Sequence, residues 1–414
     1  MEQNLDILIV GGGAAGFFAA IRAAECNPDA RICILERGKE TLNKVRISGG
    51  GRCNVTHACW TPRELSKHYP RGERELLGPF NRFACGDTVA WFDERGVPTK
   101  IEEDGRMFPV TDNSQTIVDC LLVHAKKLGI DVRTRERMDA FEYPAEDGQP
   151  WVVRSSRHTY LANRLMLATG SSTSTWKLLA ELGIDIIEPV PSLFTFNIVD
   201  DRIADLPGLS VPLAEVKVEK SNLKSSGPLL ITHWGLSGPA ILKLSAWGAR
   251  ELADKNYSCF IRVNWVVEKQ EQVRTHLETW MREDGKKQVH SHPRFGLPSR
   301  LWKSFATAAH IPEERRWQDL GKKHLSKLTE ELTAGRYAVT GKSTFKEEFV
   351  TAGGVDLKEM DLKRFASKKY PTLFMAGEIL NIDAITGGFN FQAAWTGGYI
   401  AGEAMANVTE PVSH

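Results

Sequence analysis

The hydrophobic pattern of this chain is a series of short apolar runs that stop abruptly at glycine. Ile7-Leu8-Ile9-Val10 ends in three glycines, and helix-compatible sequence follows over Phe17–Glu25. Ile32-Cys33-Ile34-Leu35 is a second run, ending at Glu36. Short runs bounded by turn residues read as strands, and recurrence at three to four residues reads as helix. On these grounds helices are predicted over Asp87–Arg95 and Ser114–Leu128, and short strands over Ile130–Arg135, Ala140–Tyr143 and Trp151–Ser155. Arg164-Leu165-Met166-Leu167 is a further strand, closing on Ala168-Thr169-Gly170.

From about Val190 the texture changes. Leu193–Val199, Val211–Glu219, Leu229–Thr232 and Ser258–Val267 alternate with turn signals, which predicts an antiparallel sheet or small barrel. Glu268–Glu283, Ser299–Ala309 and Lys322–Ala334 read as amphipathic helices, with Leu277, Trp280 and Met281 as core positions, and Tyr337–Phe349 returns to a β-like pattern. The last sixty-odd residues resume the opening grammar. Pro371–Glu378 is a strand ending in Gly377-Glu378, followed by the turn Ile385–Asn390 and a helix over Phe391–Ala406. The expected fold is α/β and Rossmann-like, in two sequence pieces. Residues 1–190 and 351–414 form the nucleotide domain, 191–266 with 335–350 an inserted β-rich domain, and 267–334 a small helical domain.

The first break carries the most chemistry. Gly11, Gly13 and Gly16 are spaced G-x-G-x-x-G between a strand and a helix. Gly11 allows the turn, Gly13 lets a phosphate approach the backbone, and Gly16 lets helix and strand pack closely. The helix start at Ala14-Ala15 offers unpaired N–H groups and a favourable dipole to a pyrophosphate. Glu36, at the end of the second strand, suits the hydroxyls of an adenosine ribose. A glycine-rich turn without ligand is the plain alternative, and the second strand with its acid tells against it.

Composition narrows the setting. At 414 residues and 42% hydrophobic content, the chain can build two or three cored domains. A net charge of +1 gives no overall footprint for nucleic acid or an acidic membrane. The basic stretches Arg315-Arg316 and Lys322-Lys323-His324 with Lys327 read as a solvated helical face. Seven scattered cysteines without C-x-x-C spacing argue against a disulfide framework or a metal site, and fit a reducing cytoplasm. Neither a signal peptide nor a membrane span is expected.

Three glycine-marked strand ends, near 11–16, 168–170 and 377–390, together with the loop Ser48–Asn54, favour FAD over NAD. A long cofactor needs phosphates, ribityl chain and ring system held at separate turns. Glu378 can accept hydrogen bonds from hydroxyls. Backbone N–H groups of Gly388, Phe389 and Asn390 can face the negative charge of a reduced flavin.

The motifs GGGAAG, ISGGGRCNVT, GRMFP (Gly105–Pro109), THWGLSGPAIL and AGEILNIDAITGGFNFQAAW occur in this order. In them the chain resembles a bacterial family of FAD-dependent oxidoreductases that includes aminoacetone-oxidase-type and 3-dehydro-bile-acid-reductase-type flavoproteins. The resemblance runs from Asp6 to about Gly402. It implies a two-dinucleotide-binding-domain-type FAD domain with non-covalent FAD. Gly11, Gly13, Ala14, Ala15 and Gly16 would take the pyrophosphate, Glu36 the ribose, and Arg37 a place beside the adenine, which Met138 contacts through its backbone. Lys44, Gly50, Gly51, Arg52, Cys53 and Asn54 would wrap the centre of the cofactor. Ala168, Thr169 and Gly170 close the second strand, while Gly377, Glu378, Asp383, Gly388, Phe389 and Asn390 hold ribityl and ring. The chain departs from the family pattern at His57, where asparagine is expected, at Asn43 before Lys44, and at Phe365-Ala366-Ser367-Lys368 in place of Met-Glu-Ser-Lys.

Candidates for chemistry are fewer. Cys53 reads either as a redox thiol or as a small packing residue, and the lack of a second cysteine at redox spacing favours packing. Arg52 either neutralises charge or braces its loop. Asn54 either caps the following segment or meets the flavin. His233 titrates near neutrality and can move protons, but Ser237 and Pro239 make its surroundings a helix start. His290 and His292 read as a solvated loop with poor metal spacing. The tryptophans at 234, 247, 265, 280, 302 and 317 read as packing. The expected function is hydride transfer between flavin N5 and a small or medium organic substrate, with NAD(P)H as a transient donor reducing a conjugated C=C. Oxygen-dependent amine oxidation, RNA modification and a flavin sensor without turnover stay open as alternatives.

Overall fold

In the computed structural model, which describes residues 2–144, 149–343 and 350–407, apolar runs far apart in sequence become neighbours. The chain divides into two units, residues 1–189 with 350–414, and residues 190–349.

The first unit is built on a mixed sheet of nine strands with a parallel centre. Strand Glu2–Val10 pairs in parallel with Ile32–Leu35 on one side and Thr159–Leu167 on the other. Asp131–Arg133 extends the sheet past Ile32–Leu35, and Leu373–Met375 extends it past Thr159–Leu167. Ile7–Val10, Ile32–Leu35 and Leu165–Leu167 are buried without alternation, as expected of strands covered on both faces. Trp151–Ser155 falls where its pattern predicts, and Met138–Glu142 pairs with it antiparallel.

Helix Ala14–Cys26 covers this sheet, and helix Phe389–Ala406 packs along it. The approach is close because Gly398 and Gly402 lie on one helical face. A Cβ on Gly398 would lie 2.5 Å from the Ala15 carbonyl oxygen, and one on Gly402 would lie 2.4 Å from that of Ala19. The early-middle segment forms helices Cys85–Asp93 and Ser114–Lys127, and a small sheet of Thr56–His57, Arg106–Pro109 and Thr99–Ile101.

The second unit carries a seven-stranded antiparallel sheet. Strand Ser210–Val218 shows why it is half-buried: Val211, Ala214, Val216 and Val218 face the core, with a bulge between Val211 and Ala214. Helices Gln270–Glu283, Ser299–Ala308 and Lys322–Ala334 close that core around Trp265, Trp302 and Trp317.

Three local expectations are corrected here. Helix Pro239–Trp247 is entered through Gly238 at φ +87°, while Ser237 ends a strand and accepts from the Thr195 hydroxyl at 2.8 Å. His290 is buried rather than solvated, its Nε2–H donating to the Ile311 carbonyl at 2.8 Å. Trp234 and Trp247 are exposed rather than packed. The β-like run from Tyr337 forms Gly335–Val339 and Gly341–Ser343, and its residues 344–349 lie outside the described residues. Among the described residues, no helix is long and apolar enough to cross a membrane.

Candidate functional site

The first glycine turn is shaped by the strand beside it. Gly11 has φ +114°, its N–H donates to the Leu35 carbonyl at 2.8 Å, and a Cβ there would lie 2.3 Å from the Ala168 oxygen. A Cβ on Gly16 would lie 2.1 Å from the Gly11 oxygen. Both positions therefore exclude any side chain. Gly13 differs: its φ is −100°, and a Cβ there would meet nothing within 4 Å. The first intrahelical bond runs from Phe17 N–H to Gly13 oxygen at 3.1 Å. The N–H groups of Ala14, Ala15 and Gly16 thus precede the first helical donor, and with the helix dipole they make an anion site beside open space.

Glu36 sits under this turn. Its two oxygens accept from Gly12 N–H at 3.0 Å and Gly38 N–H at 2.6 Å. A carboxylate has about four acceptor positions, so two remain for sugar hydroxyls. Arg37 is exposed beside it, and Met138 is half-buried at the start of its strand.

The other strand ends close on the same turn. Gly377, at φ +79°, would place a Cβ 3.4 Å from that of Ala15. Glu378 accepts from Lys44 Nζ at 2.5 Å and from the Ser171 hydroxyl at 3.4 Å, and Gly170 approaches the same carboxylate. Thr169 Oγ1 is a buried oxygen with no hydrogen-bond partner among the described residues. Gly11–Gly16, Ala168–Gly170, Lys44 and Gly377-Glu378 are thus brought together.

The loop Ser48–Asn54 works in two ways. Gly49, Gly50 and Gly51 all take positive φ, and a Cβ on Gly50 or Gly51 would meet nothing within 4 Å. Arg52 braces the loop: it pairs with Glu102 at 2.6 Å and Asp112 at 3.5 Å, and lies 3.9 Å over the Phe108 ring. Cys53 is fully buried, and burial pushes its thiol up to about 12, which suits packing and not redox chemistry. Asn54 reaches the last glycine turn. With its amide oriented to satisfy both ends, it donates to the Thr56 and Met107 carbonyls at 2.9 and 3.2 Å and accepts from Gly388 N–H at 3.0 Å.

That bond corrects one expectation. The Gly388 N–H is spent on Asn54, so the donors left at this helix start are those of Phe389, Asn390 and Phe391. The first intrahelical bond there is from Gln392 N–H to Gly388 oxygen at 3.0 Å. Gly388 itself, at φ +92°, would bring a Cβ to 2.5 Å from the Thr56 oxygen. Asn390 folds back on the loop, accepting from Ala384 N–H at 2.9 Å.

Sequence reasoning missed the partners. Asp383 is fully buried and held in a bidentate ion pair by Arg71. Tyr69 donates to the Phe389 carbonyl at 2.6 Å, and burial holds its phenol well above the usual range. Thr56 and Thr88 hydroxyls both donate to Gln392 Oε1, at 2.6 and 2.9 Å. His57 and His68 stack on the Phe389 ring at 4.5 and 4.2 Å between centroids. His233, in the second unit, is exposed at the tip between Lys224–Thr232 and Gly235–Ser237.

Two open glycine positions in the Ser48–Asn54 loop, open space at Gly13, an unpartnered Thr169 hydroxyl and two helix starts with free N–H groups fit a long cofactor with two phosphates. The fold and this constellation define a flavin-dependent oxidoreductase of Rossmann type. The chain belongs to the HI0933-like protein Rossmann domain family, whose model it matches over residues 5–404, and which is a family of FAD-dependent oxidoreductases. It is 27% identical over 428 residues to a ribosomal RNA dihydrouridine synthase of Escherichia coli, covering 97% of this chain and 98% of that protein. It is 26% identical over 409 residues to a 3-dehydro-bile acid delta(4,6)-reductase of Clostridium scindens, covering 96% and 98%. The solved 3-ketosteroid-delta4-(5alpha)-dehydrogenase from Rhodococcus jostii RHA1 shares the fold at a TM-score of 0.52 and 14% identity, over 98% of this chain and 97% of that one.

Proposed function

We propose that the chain is an FAD-dependent reductase that delivers hydride to a carbon–carbon double bond conjugated to a carbonyl, with NAD(P)H as a transient donor. The observation that carries the reading is the convergence of Gly11–Gly16, Ala168–Gly170 and Gly377-Glu378 on one helix start. FAD, when bound, supplies the hydride chemistry. The chain's own residues do the rest. Ala14–Gly16 N–H groups hold phosphate, Glu36 orients the ribose, Lys44 and Glu378 meet the centre of the cofactor, and Phe389 and Asn390 N–H groups face negative charge at the ring. In this reading residues 1–190 and 351–414 bind FAD, and 191–350 form the β-rich and helical inserts.

The acceptor class is supported by the relatives, since "delta(4,6)-reductase" and "dihydrouridine synthase" both name the saturation of carbon–carbon double bonds. Anaerobic addition of NADH or NADPH should bleach the flavin spectrum, and an enone should restore it. A flavin that stays oxidised with both donors would refute the reductase and send amine substrates to the front.

A second reading takes the double bond from a base in RNA, because two of the relatives are named ribosomal RNA dihydrouridine synthases. Arg316, Lys322 and Lys323 are exposed and basic. Retention on heparin that survives physiological salt, together with base saturation in added RNA, would select this reading; elution at low salt would reject it.

A further inference from the structure

The last glycine turn is clamped from a direction that FAD binding alone does not require. His57 Nδ1–H donates to the Gly387 carbonyl at 3.0 Å. A carbonyl only accepts, so this bond fixes the proton on Nδ1 and leaves Nε2 as the basic nitrogen. Gly105, at φ +85°, makes room for that nitrogen: a Cβ there would lie 2.6 Å from His57 Nε2. The ring stacks on Phe389, the first residue of the helix, while the Phe389 carbonyl is held by Tyr69 and the Gly388 N–H by Asn54. One imidazole therefore touches both the peptide and the side chain of the turn whose N–H groups face the ring end of the cofactor.

We propose that His57 is a positioning residue that holds the Gly387–Phe389 turn and takes a proton onto Nε2 when the bound flavin is reduced. The inference rests on the reading that the flavin ring lies at this turn. Charge explains the coupling. Burial favours the neutral ring and lowers His57 from its ordinary value, so the oxidised protein holds it uncharged near neutrality. Negative charge at the turn would then reward a positive imidazole. Of the charged groups facing it, Asp104 favours the charged ring and Arg106 opposes it, on the adjoining loop and strand. His68 lies across Phe389, and the buried Cys85 thiol accepts from the His57 backbone N–H. The balance is simple. Two electrons and one proton enter the flavin, from a nicotinamide hydride or from dithionite with solvent, and a second proton passes from solvent to Nε2.

The test is the flavin's reduction equilibrium against reference dyes, measured from about pH 5 to about pH 9 on the FAD-loaded protein and on His57→Asn, which keeps an N–H donor but cannot titrate. In the wild type each pH unit should shift the equilibrium about 100-fold where His57 titrates and about tenfold above that range; the variant should stay near tenfold throughout. A variant with the wild-type profile, or a wild type at tenfold throughout, overturns the role of His57 and leaves the flavin site standing. A protein that takes up no FAD overturns both. If the variant loses FAD, histidine-ring NMR of the wild type decides: a His57 pKa that rises on reduction supports the proposal, and one that does not move refutes it.

Discussion

One added methyl group, placed at Gly13 or at Gly11, separates what the first turn does for the fold from what it does for a ligand. At Gly11 the methyl would meet the Ala168 carbonyl oxygen at 2.3 Å, on a backbone held at φ +114°. The left-handed strain and the overpacking together should cost about 2–5 kcal/mol. At Gly13 the methyl would meet nothing within 4 Å, at an ordinary negative φ. Alanine is a poorer N-cap than glycine by up to about 1 kcal/mol, and the stiffer unfolded chain offsets about 0.4–1 kcal/mol. Gly13→Ala should therefore leave the flavin-free protein within about 1 kcal/mol of wild type. Its effect on FAD should be large, because the methyl occupies the approach to the Ala14–Gly16 N–H groups. Each hydrogen bond to a charged phosphate is worth about 1.5–3 kcal/mol, so losing one should weaken binding at least about tenfold. Urea unfolding of the flavin-free protein, followed by circular dichroism, gives the first quantity, and quenching of FAD fluorescence gives the second. A Gly13→Ala protein that binds FAD like wild type would refute phosphate at this turn. One that unfolds like Gly11→Ala would refute the claim of open space.

Replacing Arg71 by leucine removes the guanidinium from the fully buried Asp383 and should cost about 3–5 kcal/mol, most of it recovered in the Arg71→Leu/Asp383→Leu double variant; a double variant no more stable than the single one would refute the pairing. Cys53, buried with its thiol pushed up to about 12, should resist iodoacetamide at mildly alkaline pH while the exposed Cys26 reacts, which peptide mapping checks. Burial raises Glu136, but hydrogen bonds from Ser155, His158 and Tyr160 outweigh it and hold the carboxyl below its ordinary value. A depressed folded pKa contributes stability above the unfolded value, lost as pH falls from about 4.3 through the folded one. Glu136→Gln should therefore flatten the acid limb of the urea midpoint against pH and leave its slope above about pH 6 unchanged.

Legibility in the sequence followed the range of the interaction. The short apolar runs marked the strands Glu2–Val10, Ile32–Leu35 and Thr159–Leu167 because both faces are buried and the signal is local. Strand Lys224–Thr232 begins well before its apolar part at Leu229, since its outward face is polar and pairing with Ser210–Val218 sustains it. His290 looked solvated because its acceptor, the Ile311 carbonyl, lies 21 residues away. Arg71 and Asp383 are 312 residues apart, and no pattern around either announces the other. The packing of Phe365 is seen only in the fold: a Cβ on Gly397 would lie 2.9 Å from its ring, so the aromatic side chain fills the space against the last helix.

The glycines that marked the candidate site turn out to be records of tertiary contact more than of local turns. Gly11 is small for the sake of Ala168, Gly388 for Thr56, and Gly398 and Gly402 for Ala15 and Ala19. Each pair joins segments that the sequence keeps far apart, and Gly11 and Gly388 each lie beside a helix start whose first N–H groups have no helical acceptor. That is why three glycine-marked strand ends recur along one chain: the same close approach that lets the segments pack also bares the N–H groups and carboxylates between them. Gly13, Gly50 and Gly51 are the exceptions, with open space where a side chain would go. At Gly50 and Gly51 the positive φ by itself favours glycine; at Gly13 neither packing nor backbone conformation requires it, so smallness there points outward, to a ligand lying against the backbone.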